Sequence, residues 1–441
     1  YSTSCSPSES AARLRLMVRS QVLRFLDMRC NPEKFFLAHR LLASRMLGGF
    51  GVRFTVQYNL FAGSVIGLGD AEQIRVLEGM QERGDLGCFA LTEVDAGVMS
   101  GLIVETTAVW DDGFFVIHTP HAGAEKNWIS QGLVAEWVVV IAKLLIAGRD
   151  HGSHPFLVRM RRQGQLEPGI FVDDMGLKTV ANDLDNARIR FVHCRVPREA
   201  LLCRFASVSA EGAYQLTDPA VQMRMEVIGQ RLMTGRLVIA EAAIVAARVL
   251  LSKTQAYAKA KMCNGIGRKV PLAELPQLRS LFEEANAALG DVEAFCAHVE
   301  GRLSACLRVD GIPDDHLVQA ICITKVKGID VASKVIRQLE EEVGSYALMA
   351  STGFEHKDML LCCRFAEGDS MKIARDRLGE VRRNGIFKEL CNSILSGNKT
   401  HRDEGWLALK LAKAMADAKR NGTTAEAWDE QWKMVYTLAD S

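Results

Sequence analysis

CFALTEVDAGV, residues 88–98, opens the part of the sequence whose pattern decides the fold. From there to about residue 202, short runs rich in β-branched and aromatic residues recur, among them FFVIH at 114–118. Turn-forming residues, such as Asp111, Asp112 and Gly113, separate these runs. Short strands with such turns between them are typical of an antiparallel sheet. The sequence therefore predicts a mostly antiparallel β domain.

Helical patterns lie on both sides of this β domain. Residues 11–84 and 218–381 carry apolar residues three and four positions apart, as helices with one buried face do. Pro276 and Pro313 fall where a proline can begin a helix or lie in a loop. We therefore expect an α+β fold in four parts: an N-terminal helical domain (1–85), a central antiparallel β domain (86–205), a C-terminal helical bundle (206–385) and a C-terminal helical extension (386–441).

Composition and charge argue against several classes of protein. The 441 residues are 48% apolar and 24% charged, as in ordinary globular enzymes, and the net charge of +1 gives no reason to bind nucleic acid. The longest apolar stretch contains Glu136 and Lys143, so we expect no transmembrane helix. The cysteines follow no metal-binding spacing, which predicts a reducing compartment and no metal site. The basic N-terminal stretch fits either the remnant of an organelle presequence or the first helix of the domain.

Several motifs, taken in their order, resemble those of one family. TEVDAGV (92–98) is followed by ETTA (105–108) and KNWISQG (126–132), and FTVQYNLFAGSVIGLG (54–69) precedes them. In this order and spacing the chain resembles the acyl-CoA oxidases and acyl-CoA dehydrogenases, and the oxidase branch in particular. The resemblance implies an acyl-CoA dehydrogenase-like fold, FAD as the cofactor and an acyl-CoA thioester as the substrate.

The β domain carries the groups that the resemblance places at the flavin. It implies that Phe89 and Thr92 contact the flavin and that Trp128 and Ser130 shield one face of its ring. Gly97 is implied at the substrate. Hydroxyl groups can donate hydrogen bonds to a flavin, and an aromatic ring can lie against it. The alternative is that Trp128 is a core aromatic residue and that Thr92 and Ser130 are ordinary strand residues.

The long helix expected after the β domain carries two more candidates. Arg236 lies where the family has an arginine that meets the CoA moiety, and this role is implied by the resemblance. Lys261 lies where the family has an arginine that grips the flavin pyrophosphate of a neighbouring subunit, and Asn264 replaces the usual Phe. Lysine keeps the charge but lacks the planar fork that matches a phosphate. The alternative for Lys261 is a solvated helix end.

The general base is expected in the block CCRFAEGDS. Removal of the α-proton of a thioester requires a carboxylate close to Cα. The resemblance assigns this role to Glu367, with Gly368 at the substrate and Asp369 at the cofactor. A glycine directly after Glu367 would be unfavourable inside a helix, which sets this glutamate apart from an ordinary solvated charge. Burial beside Phe365 and Leu361 is expected to raise the pKa of Glu367.

The chain departs from the family mainly around the outer parts of the cofactor and CoA. Val98 stands where the family has a serine. Ala350 and Ser351 replace paired glycines in the segment that brings Gly353 to the ADP part of the flavin. The segment after Glu367 is shorter than usual by about one helical turn. These changes predict an intact catalytic centre with weakened contacts to the cofactor and to CoA.

Three functional hypotheses follow. The first is an acyl-CoA oxidase or dehydrogenase, the second is a paralogue retained as a structural subunit of a larger complex, and the third is an acyl-CoA binding module. An enzyme of this kind is expected to be a homodimer or tetramer, because family flavin sites borrow residues from a neighbouring subunit. Its electron acceptor would be O₂ or an electron-transfer flavoprotein. The compartment would be a peroxisome, a mitochondrion or a plastid.

Overall fold

The computed structural model describes residues 5–45, 48–97, 103–218, 223, 225–370, 373, 410 and 413. Its contacts divide the chain into two units, Tyr1–Glu367 and Gly368–Ser441. Only scattered residues of the second unit are described, so the helices and strands given below belong to the first unit. Val98 and the predicted extension at 386–441, apart from Lys410 and Lys413, lie outside the described residues.

The N-terminal part is helical, as predicted. Its helices are α1 (Pro7–Ser20), α2 (Asp27–Cys30), α3 (Pro32–Ser44), α4 (Gly48–Thr55), α5 (Gly63–Leu68) and α6 (Ala71–Arg83), and a π-helical stretch, Val56–Ala62, joins α4 to α5. The side chain of Ser6 caps α1 and that of Asp70 caps α6, each in a reciprocal capping box. Leu14 and Val18 on α1 are completely buried. The basic N-terminal stretch thus includes the first helix of the fold.

The central part is a β domain that is mostly antiparallel, which confirms the prediction. Its strands are β1 (Gly87–Ala90), β2 (Thr107–Asp111), β3 (Phe114–His118), β4 (Lys126–Ser130), β5 (Trp137–Ile146), β6 (Arg149–Arg159), β7 (Arg161–Arg162), β8 (Gln165–Leu166), β9 (Ile170–Asp174), β10 (Asn186–Phe191), β11 (Cys194–Pro197), β12 (Ala206–Val208) and β13 (Tyr214–Leu216). The largest sheet has the order β1-β5-β2-β3-β11 with β6 on β5, and a second sheet has the order β4-β10-β9. Only the pairs of β5 with β1 and with β2 are parallel among the described strands.

The third part is a bundle of long helices. It comprises α7 (Met225–Ile228), α8 (Gln230–Ala260), α9 (Pro276–Arg308), α10 (Asp315–Val343) and α11 (Met359–Phe365), with a small hairpin of β14 (Met262–Asn264) and β15 (Lys269–Pro271) after α8. Pro276 begins α9, as its position in the sequence predicts. Gly328 lets α10 approach α8 closely, because a Cβ there would lie 3.0 Å from Cδ1 of Ile244. Among the described residues, no helix combines the length and hydrophobicity that crossing a membrane requires.

A buried ion pair joins the strands of the β domain at one point. The side chains of Glu93 and Lys126 are both 0% exposed, and Lys126 Nζ lies 2.8 Å from Glu93 Oε1. Lys126 also donates to the carbonyl oxygens of Leu91 and Ile141, which lie at the end of β1 and within β5. The Glu93 carboxylate accepts from the backbone N–H groups of residues 105 and 106, just before β2. The pair therefore connects four strands.

We predict that Lys126→Met lowers the free energy of unfolding by about 3–5 kcal/mol, because it leaves the Glu93 carboxylate buried without its counter-charge. The double variant Glu93→Gln/Lys126→Met should lose less than the single variant, since it buries no charge. Urea unfolding measures both changes. Arg337→Met on α10 is the control, because Arg337 and Glu341 form an exposed ion pair that contributes less than about 1 kcal/mol. A Lys126→Met effect no larger than that of the control would contradict the prediction.

Candidate functional site

The predicted flavin-facing residues of the β domain lie around one strand junction. The backbone N–H of Asn127 donates to the carbonyl oxygen of Thr92 at 2.8 Å, so Thr92 lies beside the beginning of β4. Trp128 and Ser130 are on β4, and Phe89 is on β1, almost buried. The Lys126–Glu93 pair lies between these segments, one residue from Thr92 and two from Trp128. The structure therefore brings together four of the residues that the sequence singled out.

Trp128 is not a core residue, so that alternative is wrong. Its side chain is 57% exposed, and its backbone has a φ of 59°, in the left-handed region that residues other than glycine rarely adopt. The Ser130 hydroxyl accepts a hydrogen bond from Asn186 Nδ2 at 3.0 Å and can still donate its own hydrogen. An exposed aromatic face beside side-chain hydroxyls suits a flat, polar-edged ring such as a flavin.

Glu367 lies directly after α11, in a turn and not inside a helix. The helix ends at Phe365, and the φ angles of Glu367 and Gly368 are 60° and 97°. Ala366, which is extended with a ψ of 147°, ends the helix, and the glycine after Glu367 adopts its left-handed conformation without strain. The glycine after Glu367, which the sequence analysis noted, therefore has a local structural reason.

The Glu367 carboxyl group packs against α8 at a glycine. A Cβ on Gly235 would lie 2.3 Å from the carboxyl carbon of Glu367, so only glycine leaves room for this contact. The next residue, Arg236, donates from Nε to the backbone carbonyl oxygen of Glu367 at 3.0 Å. Its Nη1 lies 3.4 Å from the sulfur atoms of Met233 and Cys322. One turn of α8 thus holds both the carboxyl group and the backbone of Glu367.

Burial raises the pKa of Glu367 to about 8, against the opposing positive charges of Lys325 and then Arg236. The residue as a whole is only half-buried, but its Oε2 atom is completely buried and has no hydrogen-bond partner among the described residues. The predicted direction of the pKa shift and its predicted cause, burial, are both right, but the predicted neighbours Phe365 and Leu361 are themselves largely exposed. Leu361 and Phe365 are 48% and 61% exposed, and the burying surface is that of α8.

An apolar cavity lies one turn further along α8. Val238, Ile239 and Ala242 line it from α8, together with Val52 from α4 and Cys363 from α11. Its volume is about 80 Å³, enough for several water molecules or a short hydrocarbon chain. Val238 and Ile239 follow Gly235 by three and four residues, so they share its side of the helix at an axial distance of about 5–6 Å. The cavity therefore lies about one helical turn along α8 from Gly235, the residue that the Glu367 carboxyl contacts.

The remaining cofactor candidates lie at the other end of α8. Lys261 follows α8 and has an exposed side chain. This fits both a contact with the flavin pyrophosphate and a solvated helix end. Tyr257 stacks on Tyr346 with ring centroids 3.7 Å apart, and this contact brings the segment that leads to Gly353 close to the end of α8. Gly353 has a φ of 105°.

The loop around Gly353 holds an internal carboxylate. The backbone N–H groups of Ser351 and Gly353 both donate to Glu355, each at 2.8 Å. Adjacent N–H groups in left-handed turns form a concavity that suits anions. In this chain the Glu355 carboxylate occupies two of the backbone donors in that loop.

Gly97, Gly368 and Asp369 are the other residues that the sequence predicts for the site. Gly97 is exposed and precedes undescribed residues, while Gly368 and Asp369 begin the second unit. Sequence reasoning missed Gly235 and Lys325. A glycine inside a helix is the only local signal for the first. Lys325 gives no signal that separates it from any other helical lysine.

Asp95, Glu105 and His121 place possible metal-ligand atoms within 4.8 Å of one another. His121 Nε2 and Glu105 Oε2 are 2.7 Å apart, and this ion pair accounts for their proximity without a metal ion. Two of the three residues are exposed. Exposed acidic groups of this kind do not by themselves indicate a metal site.

Comparisons with known proteins agree with the resemblance. No protein-family model matches the chain. Acyl-coenzyme A oxidase 2, peroxisomal, of Arabidopsis thaliana is 35% identical over 227 residues, which are 48% of this chain and 32% of that protein. The chain thus spans about a third of the length of this relative.

Solved structures share the fold. Acyl-CoA oxidase 1 of Yarrowia lipolytica superposes with a TM-score of 0.78 at 21% identity, over 98% of this chain and 69% of that one. Acyl-CoA oxidase-2 of Caenorhabditis elegans, bound with FAD, ascaroside-CoA and ATP, gives a TM-score of 0.76 at 19% identity, over 98% of this chain and 69% of that one. The chain thus shares its fold with solved acyl-CoA oxidases, and about half of it is similar in sequence to a peroxisomal acyl-coenzyme A oxidase.

Proposed function

We propose that the chain catalyses the flavin-dependent α,β-dehydrogenation of an acyl-CoA thioester, with Glu367 as the general base. The observation that carries the proposal is the Glu367 carboxyl group, which packs against α8 at Gly235 and whose Oε2 is buried without a hydrogen-bond partner among the described residues. A carboxyl group with a raised pKa in such a place is typical of a proton-transfer site.

The residues present fit FAD as the cofactor. Trp128 offers an exposed ring, and Thr92, near strand β4, and Ser130, on β4 itself, carry hydroxyls that are possible donors. When bound, the flavin would accept the hydride that leaves the β-carbon of the acyl group. Lys261 and the loop at Gly353 are proposed to hold the pyrophosphate and the ADP part, through one charge and the remaining backbone N–H groups.

Different residues of the chain would then bind the substrate, remove its proton and position the base. The cavity between α4, α8 and α11 holds the acyl chain and excludes water from the reacting carbons. Glu367 takes the α-proton at Oε2, the carboxyl oxygen without a partner among the described residues. Arg236 fixes the backbone of Glu367 through its Nε, and a contact between Arg236 and CoA remains a prediction from the resemblance.

The partners and location are proposed on the same basis. We expect a dimer or tetramer, with Lys261 contributing to a neighbouring subunit's flavin site, and either O₂ or an electron-transfer flavoprotein as the acceptor. The name of the Arabidopsis relative supports a peroxisomal location.

A second candidate function, a non-catalytic subunit, is favoured by one observation. The Glu355 carboxylate already occupies two backbone donors of the loop that would hold the ADP part of the cofactor. FAD retained by the purified protein would support the enzyme. Its absence even at high added FAD would support the subunit.

We predict that Glu367→Gln abolishes substrate oxidation while the fold and FAD content stay unchanged. The amide has the same shape as the carboxyl group but cannot accept the α-proton. The rate of anaerobic flavin bleaching by a saturated acyl-CoA should fall by at least about 10²–10⁴-fold, with KM nearly constant. If the flavin of the Gln variant bleaches at the wild-type rate, Glu367 is not the general base. Wild-type protein that binds FAD but never bleaches would exclude the enzymatic function.

The bleaching rate should also depend on pH through Glu367. Because burial raises the pKa of Glu367 to about 8, most of the carboxyl groups are protonated at pH 6 and cannot accept a proton. The rate should rise about tenfold per pH unit between pH 6 and 7 and level off above pH 8. Stopped-flow measurements with saturating acyl-CoA test this. A rate that is flat from pH 6 to 9 would contradict the assignment.

Gly235→Ala should impair the reaction without removing the base. The new methyl group would overlap the Glu367 carboxyl, whose carbon would lie 2.3 Å away, so the carboxyl must move. A displacement of about 1 Å costs on the order of 10²-fold in rate. Gly290→Ala on α9 is the matched control, because open space surrounds a Cβ there. Equal bleaching rates in the two variants would show that the Gly235 contact does not position Glu367.

A further inference from the structure

Lys325 is a buried lysine on an otherwise apolar face of α10. Its side chain is 0% exposed, and Ile321 and Ile329, one turn before and one turn after it, are also completely buried. A buried ammonium group is costly unless charges or hydrogen bonds compensate it. Packing alone would favour methionine or leucine at this position.

Lys325 holds the end of α11, the helix that leads to Glu367. Its Nζ donates to the carbonyl oxygen of Arg364 at 3.3 Å. This carbonyl belongs to the last turn of α11, where a helix leaves its C=O groups without intrahelical partners and favours a positive charge. Glu367 follows only three residues later, in its left-handed conformation.

The charge of Lys325 also acts on the Glu367 carboxyl group. Among the charged groups around that carboxyl, Lys325 on α10 opposes the effect of burial on its pKa more than Arg236 on α8 does. On α11 itself, the Arg364 guanidinium pairs with Asp330. Arg236 bonds through its Nε to the Glu367 backbone, and of the two positive charges Lys325 favours the ionised carboxylate more.

We infer that Lys325 is a positioning residue for Glu367: its buried ammonium fixes the end of α11 and stabilises the ionised form of the Glu367 carboxyl group. This rests on the proposed function, in which Glu367 is the base. Lys325 does not take the proton itself. It sets where the carboxylate lies and at which pH it becomes ionised.

Lys325→Met, which keeps the shape but removes the charge, tests the inference in the bleaching assay. The midpoint of the pH–rate profile should move up by at least about one unit, with a loss of about tenfold in rate at pH 7 and partial recovery at high pH. Lys334→Met is the matched control, because Lys334 is exposed on the same helix, and its profile should match that of the wild type. An unchanged midpoint with a uniformly lower rate would overturn the inference.

A second measurement does not depend on turnover, so it separates failure of this inference from failure of the proposed function. Above pH 8 folded wild-type protein carries an ionised Glu367, which in Lys325→Met has lost the positive charge that most favours its ionised form. The folding equilibrium constant of Lys325→Met should therefore fall relative to wild type between pH 6 and 9.5, by up to about tenfold per unit of pKa shift. In a Glu367→Gln background this pH dependence should vanish.

The same pH dependence in both backgrounds would overturn the inference, even if the protein proves to have no enzymatic activity. Lys325→Gln keeps an amide donor near the Arg364 carbonyl and removes the charge. It replaces the Met variant in both measurements if that variant does not fold. A pH midpoint equal to that of wild type in the Gln variant would likewise count against the role of the charge.

Discussion

The Lys126–Glu93 ion pair is the constraint on which the β domain depends. Its two side chains are completely buried, and every ammonium hydrogen has an acceptor within the strands around it. A buried pair of this kind gains little stability over an apolar pair, but it tolerates only one arrangement of the backbone groups that bind it. That arrangement fixes Thr92 and Trp128 on the surface of the same junction, so an element of the core determines the shape of the candidate flavin site.

The helical part depends on a different constraint, the close approach of Glu367 to α8. Gly235 provides the space, Arg236 holds the backbone, and Lys325 holds the preceding helix. Each contact joins residues that lie more than thirty positions apart in the chain. The Oε2 atom of Glu367 is buried without a hydrogen-bond partner among the described residues, which favours the protonated carboxyl and makes its ionisation sensitive to nearby charge.

The catalytic centre and the cofactor's outer contacts differ in how well they fit the family. At the proposed base, Glu367, one carboxyl oxygen is buried without a hydrogen-bond partner among the described residues. Around Gly353 it has placed Glu355 on backbone donors that suit an anion. A carboxylate in that position competes with a phosphate, because both need the same N–H groups. Affinity for the cofactor, rather than the chemistry of the base, therefore distinguishes the enzyme hypothesis from the hypothesis of a non-catalytic subunit.

The sequence by itself determined the order of helical and β parts, the strand runs, the helix start at Pro276 and the unsuitability of Gly368 for a helix interior. These features follow from local periodicity and from the backbone preferences of proline and glycine, which need no distant contact. Tertiary structure alone decided that Trp128 is exposed, that the Glu367 carboxyl packs against Gly235 of α8, and that Lys325 is buried against the end of α11. Burial and electrostatic effects depend on which distant segments meet, and no local pattern in a single sequence records those meetings.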